Sequence, residues 1–356
     1  MLEKWYNNLK RGSPSTADLY YRVLTKFCKD TGVSPEKLLN LSDGELRDLI
    51  LDYVHRLDFA GKSGSHQENV ISAIKSWLRF NGRELTIKVK VSRKSRIAER
   101  EVVPKPEDVG KLLKVAGLKE RVVISLMAFS GVRENVIGNY EGTDGLRLID
   151  LPDLRVEGGI VDFVKEPAMV IVRAELNKAR HQYFTFLCRE GMEFVLDWLR
   201  YRIRRGEELK LHSPLIPSRR GLFMRSMSVS NLIKKVIEVA GYSWRPYVLR
   251  HYFDTQMLLA EAGGIIPRDY RVFWMGHKGD IEHVYTTNKH RLPDHVVKDM
   301  RYRYERAAEE FLLPRVRVRE PSQKVVSLEE LERYLESGWE FVTTLPNGKV
   351  IVRRSF

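Results

Sequence analysis

Cysteine is nearly missing from this chain: Cys28 and Cys188 are the only two in 356 residues, and they lie far apart. That excludes a disulfide framework, and with no Cys-x-x-Cys spacing to suggest zinc, a reducing cytoplasm fits. Long apolar runs are missing too. The N-terminus MLEKWYNNLKRG has no signal-peptide core. No stretch approaches the roughly 20 apolar residues of a membrane span, so the expectation is a soluble protein with no membrane partner. Glutamine is scarce (Gln67, Gln182, Gln256, Gln323) while Lys, Arg and Glu abound, a balance that leans toward thermophiles. There is no internal repeat and no low-complexity tract. Acidic residues are outnumbered: 61 Lys and Arg face 47 Asp and Glu, leaving a net charge of +14. A soluble chain with that excess suits a polyanion, and double-stranded DNA is the usual one.

What is present reads as two or three domains, since 43% hydrophobic content fills ordinary cores. Residues 1–85 read as a helical unit. Leu19, Tyr20, Val23, Leu24 and Phe27 share one helical face, and Ser42 with Glu45 and Ser65 with Glu68 match the capping box that opens a helix. Residues 86–103 carry a basic stretch that reads as a linker, solvated or laid along phosphates. A second domain spans 104–312. It has a helix from Pro106 to Val115, an apolar helix at 121–130, and strands at 168–174 and 181–187 around Asn177-Lys178-Ala179-Arg180. Helices follow at 190–204, 228–240 and 247–262. The tail 313–356 has a Ser327/Glu330 capping box, a short helix to Leu335 and two strands around Pro346-Asn347-Gly348. The fold class expected is mainly α with a small antiparallel β element.

Phosphodiester transfer without a metal needs a nucleophile, fixed cations on the non-bridging oxygens, and an acid for the leaving oxygen. Guanidinium suits the oxygens, because its planar fork donates two charge-assisted hydrogen bonds and keeps its proton. The chain carries these parts in order. Arg133 sits in AFSGVREN, Lys178 in AELNKARHQYFTFL, Arg250 in RPYVLRHYFDT, His277 in FWMGHKGDIEH, and Tyr285 eight residues later in HVYTTNK. The histidines at 251, 277, 283, 290 and 295 include no i, i+4 pair of the H-E-x-x-H kind, so neither a metal nor another cofactor is expected. Runs YRIRR and RYRYER face DNA or solvent on this reading.

From residue 104 to about 300 this pattern resembles the tyrosine recombinase (phage integrase) family, whose order is Arg, hairpin Lys, His-x-x-Arg, Gly-His and Tyr. The GHKGDIEHVYTTNK stretch looks most like integrases of archaeal viruses and plasmids of the fusellovirus type. The helical segment 14–80 looks like the family's core-binding domain. The resemblance implies a site-specific recombinase that joins DNA through a 3′-phosphotyrosine on Tyr285, without metal or ATP, integrating or excising a mobile element at a tRNA gene. It also implies a homotetramer on paired sites, with a monomer or dimer when free. Arg133 and Arg250 would clamp the phosphate, Lys178 would protonate the 5′ oxygen, and His277 would hydrogen-bond a phosphate oxygen. Arg180 and Lys165 are alternative donors.

Three departures stand out. Tyr247 occupies the family's histidine position, as a site residue or as packing. Val136 replaces the acidic residue three after Arg133, with Glu134 nearby, and the His277-to-Tyr285 spacing is one shorter than the commonest. A type IB topoisomerase-like enzyme and a catalytically silent DNA-binding protein remain open beside the recombinase.

Overall fold

The computed structural model describes residues 1–86, 89–91, 102–313, 323–336, 339–345 and 348–354. The chain divides into two compact units, Met1–Leu313 and Pro314–Phe356.

The first unit opens with five helices: α1 (Leu2–Gly12), α2 (Pro14–Thr31), α3 (Pro35–Leu38), α4 (Asp43–Phe59) and α5 (Gly64–Phe80). Local chemistry sets their ends. Ser13 caps α2 ahead of Pro14, whose fixed φ suits the first turn, and Gly32 takes the left-handed conformation after it. Ser42 and Glu45 form the expected capping box on α4. The cap expected at Ser65 lies instead at Ser63, whose side chain accepts from the His66 amide. Tertiary packing chose that register: the buried Gln67 side chain donates to Asp58 Oδ1 at 2.5 Å, which anchors the first turn of α5. Leu24, Phe27, Ile50, Ile74 and Trp77 are buried together with Trp5, whose ring meets Trp77 edge-on at 5.6 Å. α1 had no expectation behind it, yet it supplies that tryptophan.

A separate core lies between residues 109 and 312. Its elements are α6 (Pro106–Val115), α7 (Leu118–Ala128), α8 (Glu134–Ile137), β1 (Leu154–Glu157), β2 (Ile160–Phe163), β3 (Ala168–Val172) and β4 (Tyr183–Leu187). They continue with α9 (Arg189–Arg204), α10 (Ser226–Val239), α11 (Val248–Ala262), α12 (Arg268–Trp274), α13 (Asp280–Thr287) and α14 (Asp294–Ala307). Every residue from Val122 to Ala128 is buried, so beyond its half-exposed first turn α7 has no solvent face. β1 pairs with β2 around Gly158-Gly159, a hairpin the periodicity did not suggest, and β3 pairs with β4 in antiparallel register from Ala168↔Leu187 to Val172↔Tyr183. These strands are shorter than the alternation implies, because a 3-10 turn at Ala174–Leu176 leads into the basic tip. The fold class is therefore mainly α with small antiparallel sheets, as expected.

Polar contacts join the N-terminal helices to this core. Asp18 accepts from the hydroxyls of Tyr6 at 2.6 Å and Tyr140 at 2.7 Å, and Lys10 pairs with Glu141 at 3.0 Å. Of the basic stretch 86–103, residues 87–88 and 92–101 lie outside the described residues.

Taken by itself, the tail unit has β5 (Gln323–Val326), α15 (Leu328–Glu336), β6 (Trp339–Thr344) and β7 (Val350–Arg354). The sheet order is β5-β7-β6, one strand more than expected, over a small core of Val326, Val350 and Val352. The Ser327 backbone donates to Glu330 at 3.1 Å, in keeping with the expected capping box.

Candidate active site

Arg133 stands at the start of α8, where the apolar helix α7 ends in a turn through Gly131. That turn needs glycine twice over: its φ is +65°, and a Cβ there would lie 2.4 Å from the Phe253 ring. The turn brings Arg133 to the hairpin, where its Nη1 donates to Asn177 Oδ1 at 3.5 Å. Arg250, on α11, is only 1% exposed. Its Nη1 donates to the Gly131 carbonyl and its Nη2 to the Met275 carbonyl, so one guanidinium ties together the turn before Arg133 and the turn before His277. Burial works against its charge, and Arg133 adds to that cost.

His277 follows Gly276, and that glycine also has a physical reason. Its φ is +62°, and a Cβ would sit 2.4 Å from Tyr183 Cε1. The His277 ring is exposed, yet partial desolvation and then the charges of Arg250 and Arg133 hold its pKa below the ordinary value. Both arginines therefore work against protonation of this imidazole. Glu134 lies within the field of Arg250 and Arg133, although burial, the larger effect, raises its pKa. Tyr247 precedes α11, accepts the Arg250 amide on its carbonyl at 3.0 Å, and meets the His251 ring edge-on at 4.9 Å.

Among the described residues, neither of the other two expected residues hydrogen-bonds to Arg133, Arg250 or His277. Lys178 is exposed, and among the described residues its ammonium makes no hydrogen bond or ion pair. Its loop is nevertheless held on both sides. Asn177 donates to the His181 carbonyl at 2.8 Å, and Arg180 donates to the Gly12 carbonyl at 2.5 Å from a left-handed backbone. That contact occupies the guanidinium of one alternative donor; Lys165 is exposed. Tyr285, on α13, is 4% exposed, edge-on to Phe184 at 5.6 Å and Phe273 at 5.5 Å. Its hydroxyl accepts from Gln182 Nε2 at 3.1 Å. Burial pushes the phenol above its ordinary pKa, and the Gln182 bond works the other way.

The hairpin thus contributes more than Lys178. Asn177 touches Arg133, Tyr183 packs on Gly276, and Gln182 and Phe184 hold Tyr285. Sequence reading missed these residues, because nothing in NKARHQYF marks which side chains turn inward. In the basic runs, Arg202 is buried on Glu207 and on the Pro214 carbonyl, while Arg301 and Arg303 are half-buried in ion pairs with Asp153 and Asp299. Arg204 and Arg205 are exposed. Among the described residues no three His, Cys, Asp or Glu side chains form a group able to hold a metal ion, and no helix is long and apolar enough to cross a membrane.

No family model matches the chain, and no curated protein matches it. Solved structures do. A lambda integrase fragment, solved as a dimer bound to a COC′ core site, is similar at 15% identity and a TM-score of 0.50. The match covers 82% of this chain and 96% of that one. The Tn1549 transposon integrase in complex with transposon right end DNA is similar at 15% identity and a TM-score of 0.50. Here the match covers 86% of this chain and 99% of that one. At such identities the likeness is one of fold, and the fold is that of these integrases.

Proposed function

We propose that the protein is a site-specific DNA recombinase of the tyrosine class, an integrase that cuts and rejoins DNA through a 3′-phosphotyrosine at Tyr285. The observation that carries this reading is that the buried Arg250 guanidinium ties the turn before Arg133 to the turn before His277, while the hairpin that bears Lys178 touches both Arg133 and Tyr285. Two of these contacts, Arg250 with Gly131 and Gln182 with Tyr285, join residues more than a hundred positions apart in the sequence.

The roles follow from chemistry. The Tyr285 hydroxyl loses its proton to solvent as its oxygen attacks phosphorus, a phosphotyrosine ester forms, and the bond to the 5′ oxygen breaks. Lys178 gives its proton to that leaving oxygen. Arg133 and His277 donate to the non-bridging oxygens, and Arg250 joins them by exchanging a carbonyl partner for a phosphate oxygen. Since the ester conserves the energy of the phosphodiester, religation by a free 5′ hydroxyl needs neither ATP nor metal. Tyr285 must leave its apolar surroundings before it can attack, because a buried phenol with a raised pKa is a poor nucleophile. The helices of residues 1–85 and the domain 104–312 would grip opposite faces of the duplex, and a tetramer on two sites would exchange the strands. The lambda and Tn1549 integrases with the same fold are bound to DNA, which supports this partner. The sequence GHKGDIEHVYTTNK supports the finer assignment to a mobile element of the archaeal virus or plasmid type, integrating at a tRNA gene.

Covalent trapping tests the reading. Wild type and Tyr285→Phe are mixed, in excess EDTA, with end-labelled nicked DNA spanning the protein's own gene and resolved on a denaturing gel. A slow protein–DNA band from wild type alone is the expected result. DNA binding without a band from either protein would favour a silent binder, and relaxation of any supercoiled plasmid would favour a topoisomerase.

A further inference from the structure

Two consecutive residues of the hairpin reach the helix that carries Tyr285. Gln182 Nε2 donates to the Tyr285 hydroxyl at 3.1 Å. His181, 6% exposed, places Nδ1 at 4.0 Å from Glu282 Oε1, three residues before Tyr285 on α13. Neither ring nitrogen of His181 has a hydrogen-bond partner among the described residues. The rings of Phe184, Phe273 and His290 stand 5.5 to 5.6 Å from the Tyr285 ring. Among the described residues, Gln182 is the hydrogen-bond partner of that hydroxyl.

We infer that Gln182 is a positioning residue that keeps the Tyr285 hydroxyl in its buried place against the hairpin. A buried hydroxyl is stable in an apolar pocket only while it is hydrogen-bonded. The donor therefore decides how much of the population holds Tyr285 inside. Because Gln182 lies four residues beyond Lys178 on one hairpin, a displacement of the hairpin by DNA acts on the general acid and on the nucleophile together. The inference rests on Tyr285 being the nucleophile.

Two substitutions of similar volume give opposite signs, which loss of packing alone does not. Gln182→Leu removes the donor and leaves the phenol unpaired in its pocket, so Tyr285 spends more time outside. Gln182→Glu supplies a carboxylate that accepts from the phenol O–H and holds it more firmly. The full-length proteins are compared on nicked DNA under single turnover, with DNA affinity measured in parallel. The covalent product should form faster with Gln182→Leu and slower with Gln182→Glu, each by about 3- to 10-fold, at unchanged affinity. A Gln182→Leu rate equal to or below wild type, or two variants that change in the same direction, would overturn the inference. Absence of any covalent product from wild type would instead remove the nucleophile assignment. The free protein offers a check that needs no DNA. Nitration by tetranitromethane, read at Tyr285 by peptide mass spectrometry, should rise in Gln182→Leu and fall in Gln182→Glu, and equal labelling of all three proteins would also overturn the inference.

Discussion

The helix that carries Arg250 and the helix that carries Tyr285 are built on different principles. Eight of the fifteen residues of α11 are buried, and its arginine is bonded at both ends of the guanidinium fork to backbone carbonyls. In α13 Tyr285 is the single buried residue of eight, and one amide hydrogen bond holds its hydroxyl. Fixed charge is worth most when it does not reorganise, so it is set into the core. On the proposed reading, a nucleophile that must travel to its target is better placed on an element with little to lose by moving. The contrast separates what such a site keeps rigid from what it keeps releasable.

The largest effect should come from breaking the rigid half. Arg250→Met leaves the Gly131 and Met275 carbonyls without their donor, which costs about 2–5 kcal/mol of stability and lowers the covalent cleavage rate by about 10²- to 10³-fold. Arg133→Met removes one 3.5 Å contact from a half-buried side chain. It should cost less than about 1 kcal/mol while lowering cleavage comparably. Chemical unfolding and single-turnover trapping on the same pair separate the two roles. Equal stability losses would erase the distinction between them.

Next in size is the turn before His277. Gly276→Ala forces a Cβ to within 2.4 Å of Tyr183 at a φ of +62°, and the melting curve should report a loss of about 1–3 kcal/mol. An unchanged Tm would mean that the turn before His277 adapts freely.

The smallest effect is a dependence on pH. Desolvation and the two arginines depress the pKa of His277 in the folded state. A depressed pKa contributes stability that is present above the unfolded value of ~6.5 and is lost as pH falls through the folded value. Stability should therefore rise slightly with pH across that window, and His277→Gln should flatten the rise. The slope is modest because the ring is exposed. Titration of Tm between acid and neutral pH in both proteins is the check, and an identical slope would remove His277 from the field of the arginines.

How far the sequence reached differs along the chain. Helices with a periodic face and a polar cap were legible, as α2, α4 and α6 are. The start of α5 was misplaced by two residues, because Ser63 and Ser65 both offer a cap and only the buried Gln67–Asp58 contact chooses between them. The β1–β2 hairpin and β5 went unseen, since strands of four residues leave too short a pattern to read. The site residues were named by order and spacing, whereas their partners were not. Asn177, Gln182 and Tyr183 are ordinary polar and aromatic residues until the chain folds them inward.

By itself, then, the sequence determined the chemical inventory: the excess of positive charge, the five groups suited to phosphoryl transfer and their order, and the helical character of the chain. Those are properties of residue type and local periodicity, which need no distant contact. Tertiary structure alone decided that Arg250 binds two carbonyls, that Arg180 is taken up by Gly12, and that Tyr285 is buried against Gln182. Such pairings join residues 25 to 168 positions apart. Burial and hydrogen-bond partners at that range depend on how whole elements pack, and no local pattern encodes them.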